Sequence, residues 1–219
     1  MVDMLNADEI IGFKEWLKTD PILPTNEHSY VSYYIKQKFK STLSYTLSRV
    51  GLFVITGERP LDKTVFGYKM LKDGGVLFTS SNFSIDMISM QVTDIRDILI
   101  KEIYDSSSLD EILKVVSSIK NKTIVIDDIT TILRLFKVDK LKSYPEILQD
   151  IRDASVKNNN KIFLITSDYT NFKTNERSTM SIKLLNFLAD YMLDIKREGP
   201  DIAVHSKYPI NFTEKICRI

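Results

Sequence analysis

This sequence predicts an α/β fold built on a mostly parallel central sheet flanked by helices, and three observations carry the prediction. Four short apolar runs, 52–56 (LFVIT), 75–80 (GVLFTS), 123–127 (TIVID) and 161–167 (KIFLITS), are rich in Val, Ile and Phe. Runs of this kind suit strands buried on both faces. Helical stretches separate them, and that alternation puts helices on both sides of a parallel sheet. After residue 187 the pattern changes, and ADYMLDIKRE and DIAVHSKYP flank Gly199 and Pro200 as a C-terminal antiparallel hairpin.

In chain order, residues 7–18 place Ile10, Ile11, Phe13, Trp16 and Leu17 near helical spacing until Asp20 and Pro21 stop the element. PILPTNEHS reads as a linker with Ser29 as an N-cap. Residues 30–49 read as a helix with Val31, Tyr34, Ile35, Phe39 and Leu43 along one stripe and Gly51 beyond its C-terminus. An N-terminal helical segment, 1–50, is therefore expected to pack on a core formed by 51–219. Between the strands, helices are expected at 63–72, at 85–104 with a break allowed within it, at 109–120 and at 144–157.

Composition narrows the function. The 219 residues are 43% hydrophobic and 27% charged, a globular balance. Thirty Lys and Arg against 29 Asp and Glu leave a net charge of +1. That is no uniformly basic nucleic-acid coat, although it allows a local basic patch. No apolar run approaches the roughly 18 residues that span a bilayer. The mixed, acidic N-terminus is unlike a signal peptide, so a cytoplasmic protein without membrane contact is expected. One cysteine, Cys217, and two histidines, His28 and His205, make neither a Cys/His metal cage nor a Ser/His/Asp constellation.

The turn after the first strand is the most informative stretch. Gly57-Glu58-Arg59-Pro60-Leu61-Asp62-Lys63-Thr64 matches the phosphate loop G-x-x-x-x-G-K-[ST] at Gly57, Lys63 and Thr64, between a strand and a helix. In that motif backbone amides hold phosphate oxygens, Lys bridges the outer phosphates and Thr holds Mg²⁺. Asp62 replaces the second glycine. It adds a Cβ where backbone must approach phosphate, and a carboxylate beside a polyanion. At about 5 Å and an effective dielectric near 20, one such repulsion costs roughly 3 kcal/mol. Asp62 could instead pair with Lys63 or cap the following helix. Downstream, Asp127 and Asp128 close an apolar strand, where an Asp either orients Mg²⁺ or starts the next helix.

Taken with the order of elements, these motifs resemble the RecA/RadA/KaiC superfamily of ATPases, over roughly residues 45–219. Residues 52–72 resemble its Walker A unit and TIVIDDITTIL its Walker B strand. KIFLITSDYTNFKTN resembles the strand leading into a DNA-binding loop, and the closing hairpin with KYPINFTEKICRI resembles the end of an archaeal RadA core. The resemblance implies a RecA-like core. It also implies that Gly57, Asp62, Lys63, Thr64 and Asp127 are a vestigial nucleotide site, and that Lys173, Arg177 and Lys183 in a loop at 169–183 face DNA. Two departures stand out. The second glycine is missing, and the glutamate expected after the second strand is replaced by Thr79-Ser80-Ser81-Asn82, which offers no general base.

The implied reading is a non-catalytic RadA-type paralogue, a pseudo-ATPase without ATP or Mg²⁺ as cofactor. It would act in DNA recombination or repair through a RecA-family relative, self-association or single-stranded DNA. A weak ATP-binding switch and a KaiC-like signalling scaffold without DNA contact are the alternatives. The Tyr- and Lys-rich stretch 30–40 reads more simply as a packed helix with a solvated basic edge than as a base-stacking platform.

Overall fold

The computed structural model describes residues 41–80, 97–103, 107–135, 144–171, 176–179, 182–199 and 201–216. The chain divides into two compact units, Met1–Arg49 and Val50–Ile219. In the first unit, helix α1 (Thr42–Ser48) starts at Ser41, whose side chain accepts from the Ser44 amide at 2.9 Å. The rest of the expected 30–49 helix, the 7–18 helix and His28 lie outside the described residues.

The second unit carries an eight-stranded sheet. In chain order its elements are β1 (Gly51–Gly57), α2 (Pro60–Lys69), β2 (Gly75–Thr79), β3 (Ile98–Glu102), α3 (Ser107–Ser118), β4 (Thr123–Asp127), α4 (Ile129–Leu135), α5 (Tyr144–Lys157), β5 (Lys161–Ile165), β6 (Asp168–Asn171), β7 (Glu176–Thr179), α6 (Ile182–Leu188), β8 (Tyr191–Glu198), β9 (Asp201–Tyr208) and β10 (Phe212–Ile216). The sheet order is β10-β9-β8-β1-β5-β4-β2-β3, and β6 and β7 form a separate two-stranded ribbon. From β3 to β8 every pairing is parallel, whereas β8–β9 and β9–β10 are antiparallel. The mostly parallel sheet and the C-terminal hairpin are as expected.

Both faces of the central strands are buried because both are apolar. Leu52, Val54, Ile124, Ile126, Ile162 and Leu164 join one core cluster with residues of α3, α4, α5 and α6. On the other face, Phe53 stacks on Phe163 and Tyr191 with ring centroids 4.6 and 4.5 Å away. There α2 packs on β1, β4, β5 and β8. Gly67 sets how close α2 lies, since a Cβ on it would stand 2.6 Å from the Ile165 side chain.

The amino ends of β4 and β5 are tied by asparagines. Asn158 donates to the Val116 and Ser117 carbonyls, and Asn160 donates to the Ile119 carbonyl while accepting from the Lys122 amide at 2.9 Å. Asn121 and Asn159 both take positive φ, near +55°, which asparagine tolerates, and their side chains hydrogen-bond.

Four expectations need correction. Within the helix expected over 85–104, residues 98–102 are instead the edge strand β3. Ile98 is buried while Leu99 is half exposed, a strand alternation that the neighbouring helix-compatible run conceals. Residues 85–96 lie outside the described set. Gly51 does not cap α1 but opens β1. Helix α2 starts at Pro60 rather than Lys63, because proline at the first helical position has no amide to leave unpaired. Finally, the segment expected as a loop at 169–183 contains two paired strands, β6 and β7, and the start of α6.

Candidate functional site

Ligand sites in open α/β sheets lie beyond the carboxyl ends of the strands. Here that region gathers Gly57 at the end of β1, Asp62, Lys63 and Thr64 in the first turns of α2, and Asp127 at the end of β4. The strand order places β5 between β1 and β4, so the adjacency follows from topology.

Each of these side chains is engaged by the protein itself. Thr64 donates to Asp127 Oδ2 at 2.9 Å. Lys63 is 1% exposed and donates through Nζ to the Thr166 carbonyl, one residue beyond β5. Thr166 is itself anchored, donating through Oγ1 to the Ile55 carbonyl at 2.9 Å. Asp62, buried, accepts a two-pronged contact from Arg197 of β8, with Nε at 3.1 Å from Oδ2 and Nη2 on Oδ1. Asp62 is no helix cap: the N-cap of α2 is Arg59, which makes no side-chain capping bond. The hydrogen bond that Arg197 donates to Asp62, and the charge of that carboxylate, hold the guanidinium above its ordinary pKa.

Burial pushes the Asp127 carboxyl up to about 6, and the negative charge of Asp128 adds to the rise. Hydrogen bonds from Thr64 and Tyr68 and the charge of Lys63 pull it part of the way back. Asp128 has the other role foreseen for this pair. It caps α4 by accepting from the Thr131 amide, and it also accepts from the Thr131 and Ser167 hydroxyls. Ser80, after β2, donates its amide to the Asp127 carbonyl at 2.7 Å and accepts from the Asp128 amide at 3.2 Å. Ser81 and Asn82 lie outside the described residues.

The strand-to-helix turn is short. Only Glu58 and Arg59 separate β1 from α2, so part of the span that would wrap phosphate is already helix. The Lys63 amide points to the Arg59 carbonyl at 3.4 Å. Gly57 (φ +151°) is needed for another reason: a Cβ there would lie 2.3 Å from the Ile195 carbonyl oxygen of β8. The β8 strand also holds Thr56, whose hydroxyl donates to Asp194 at 3.1 Å.

Of the residues assigned to DNA, Lys173 lies outside the described set. Arg177 falls in β7 opposite Thr170, and Lys183 in α6, so the structure gives these two different elements. Reasoning along the sequence missed Arg197, Thr166, Asp194 and Ser167. The basic end of β8, Lys196-Arg197, facing a lone carboxylate in a glycine motif is the signal that could have found Arg197. Among the described residues no group of three or more His, Cys, Asp or Glu could hold a metal ion, and no helix is long and apolar enough to cross a membrane.

The fold is similar to that of a solved structure titled as the RadB recombinase. The match covers 80% of this chain and 92% of that one, with 14% identity and a TM-score of 0.58. At that identity the likeness shows the fold, which is RecA-like. No protein-family model and no curated protein matches the sequence.

Proposed function

We propose that this chain is a non-catalytic RecA-fold protein that modulates DNA recombination or repair through protein partners, a RecA-family relative or further copies of itself. One observation carries the reading. The side chains at the motif positions are spent on internal contacts: Lys63 on the Thr166 carbonyl, Thr64 on Asp127 and Asp62 on Arg197. A scaffold kept without its ligand is most useful as a shape that other proteins recognise. The recombinase title of the structural neighbour supports the setting, and single-stranded DNA remains the nucleic acid to test, with Lys173 and Arg177 as the cations first in line.

A second reading, a weak ATP-dependent switch, is favoured by the Thr64–Asp127 hydrogen bond, which keeps together the two side chains that would share Mg²⁺. Titration with a fluorescent ATP analogue in the presence of Mg²⁺, alongside a phosphate-release assay, separates the two. The expected result is no saturable binding and no release above background. Saturable binding with turnover would sink the non-catalytic reading, and binding without turnover would select the switch.

A further inference from the structure

Three contacts run from β8 to the segments on either side of the β1–α2 turn, two to the end of β1 and one to the first turn of α2. The Ile195 carbonyl fills the space a side chain at position 57 would need, Asp194 accepts from Thr56, and Arg197 grips Asp62 with two nitrogens. We propose that β8 is a strap across this turn, fastened by the Asp62–Arg197 pair. The contact is autoinhibitory: a carboxylate of the chain itself occupies the guanidinium that would otherwise take a polyphosphate.

The chemistry rests on the shape of the two groups. A guanidinium presents parallel N–H donors that match carboxylate and phosphate equally, so either anion can satisfy Arg197. The Asp62 side chain is 7% exposed and cannot turn to water to free its partner, whereas the Arg197 side chain is 33% exposed and borders solvent. The internal anion therefore holds the inner position and an external one must displace it. Losing the carboxylate would leave an arginine at the mouth of the turn with no opposing charge from position 62. Losing the arginine would leave a buried carboxylate that repels any phosphate.

The inference rests on the proposed reading that the native turn holds no nucleotide, and the experiment keeps the two apart. Inorganic tripolyphosphate, and separately the fluorescent ATP analogue with Mg²⁺, are titrated into the native protein, Asp62→Asn, Arg197→Ala and Asp62→Asn/Arg197→Ala. Circular dichroism confirms folding, and Asp62→Gly serves if Asp62→Asn does not fold. The native protein and Arg197→Ala should show no saturable binding. Asp62→Asn should bind tripolyphosphate, weakening as salt rises, and the double variant should bind at least about tenfold more weakly, the loss expected of one charged hydrogen-bonding partner. Equal affinity of the single and double variants, or no gain in Asp62→Asn, overturns the strap. Binding of MgATP by the native protein overturns instead the reading on which it rests.

Discussion

The two ends of the parallel sheet are both polar, yet they are built from different chemistry. At the amino ends of β4 and β5, neutral amides of Asn158 and Asn160 answer backbone carbonyls and amides of the opposing turn. At the carboxyl ends, side chains carrying Lys63, Asp62 and Asp127 are buried and answered largely by other side chains. Neutral amides satisfying backbone groups are what a fold needs to close its turns. Buried charges cost desolvation that well-packed apolar residues would avoid, so the fold alone gives no reason to keep them. The contrast separates an end whose polar groups close turns from an end whose buried charges the fold does not require.

Asp127 should give the largest effect. Its folded pKa, about 6, lies above the 3.8 ordinary for an aspartate. A raised carboxyl contributes stability that is fully present below pH about 4 and lost as pH rises through about 6. That rise corresponds to roughly 3 kcal/mol. Asp127→Asn should flatten the stability profile across that window, as urea unfolding at pH 4, 5, 6 and 7 would read out. An unchanged slope would place the charge cost elsewhere.

At the opposite end the expected effect is independent of pH. Asn160→Ala leaves the Ile119 carbonyl and the Lys122 amide without this partner and should lower stability by about 2 kcal/mol at pH 5 and pH 7 alike. A pH-dependent loss there would erase the distinction between the ends. The smallest effect belongs to neither end. The Lys101–Glu111 pair joins β3 to α3 with side chains 28% and 46% exposed, and Lys101→Ala should change stability by less than about 0.5 kcal/mol. A larger loss would mean the open edge of the sheet is more tightly held than its exposure implies.

The central strands were legible because burial on both faces writes a continuous apolar run, and the hairpin because Gly199 punctuates it. The meeting of Thr64 with Asp127 was legible too, since strand ends in such sheets converge. Edge strand β3 was not, because half of its face meets solvent and its mixed pattern merges with a helix-compatible neighbour. Arg197 was hidden for a different reason. It lies 135 residues from Asp62, and ion pairs across that separation obey no period. The burial of Lys63 was equally invisible, because lysine rarely accepts it without a specific acceptor such as the Thr166 carbonyl.

Gly57 carries a lesson about what a matched motif position means. A methyl group at this position would strike the Ile195 carbonyl whether or not any phosphate ever enters the turn. A side chain here is thus excluded by a neighbouring strand, and the glycine is required whatever the turn binds. The two glycine positions of the motif therefore meet different surroundings: position 62 accommodates aspartate because the Arg197 guanidinium receives it, while position 57 is closed by packing. A glycine at a motif position is in such a case evidence of architecture, and counting it towards nucleotide chemistry would overstate what the match implies.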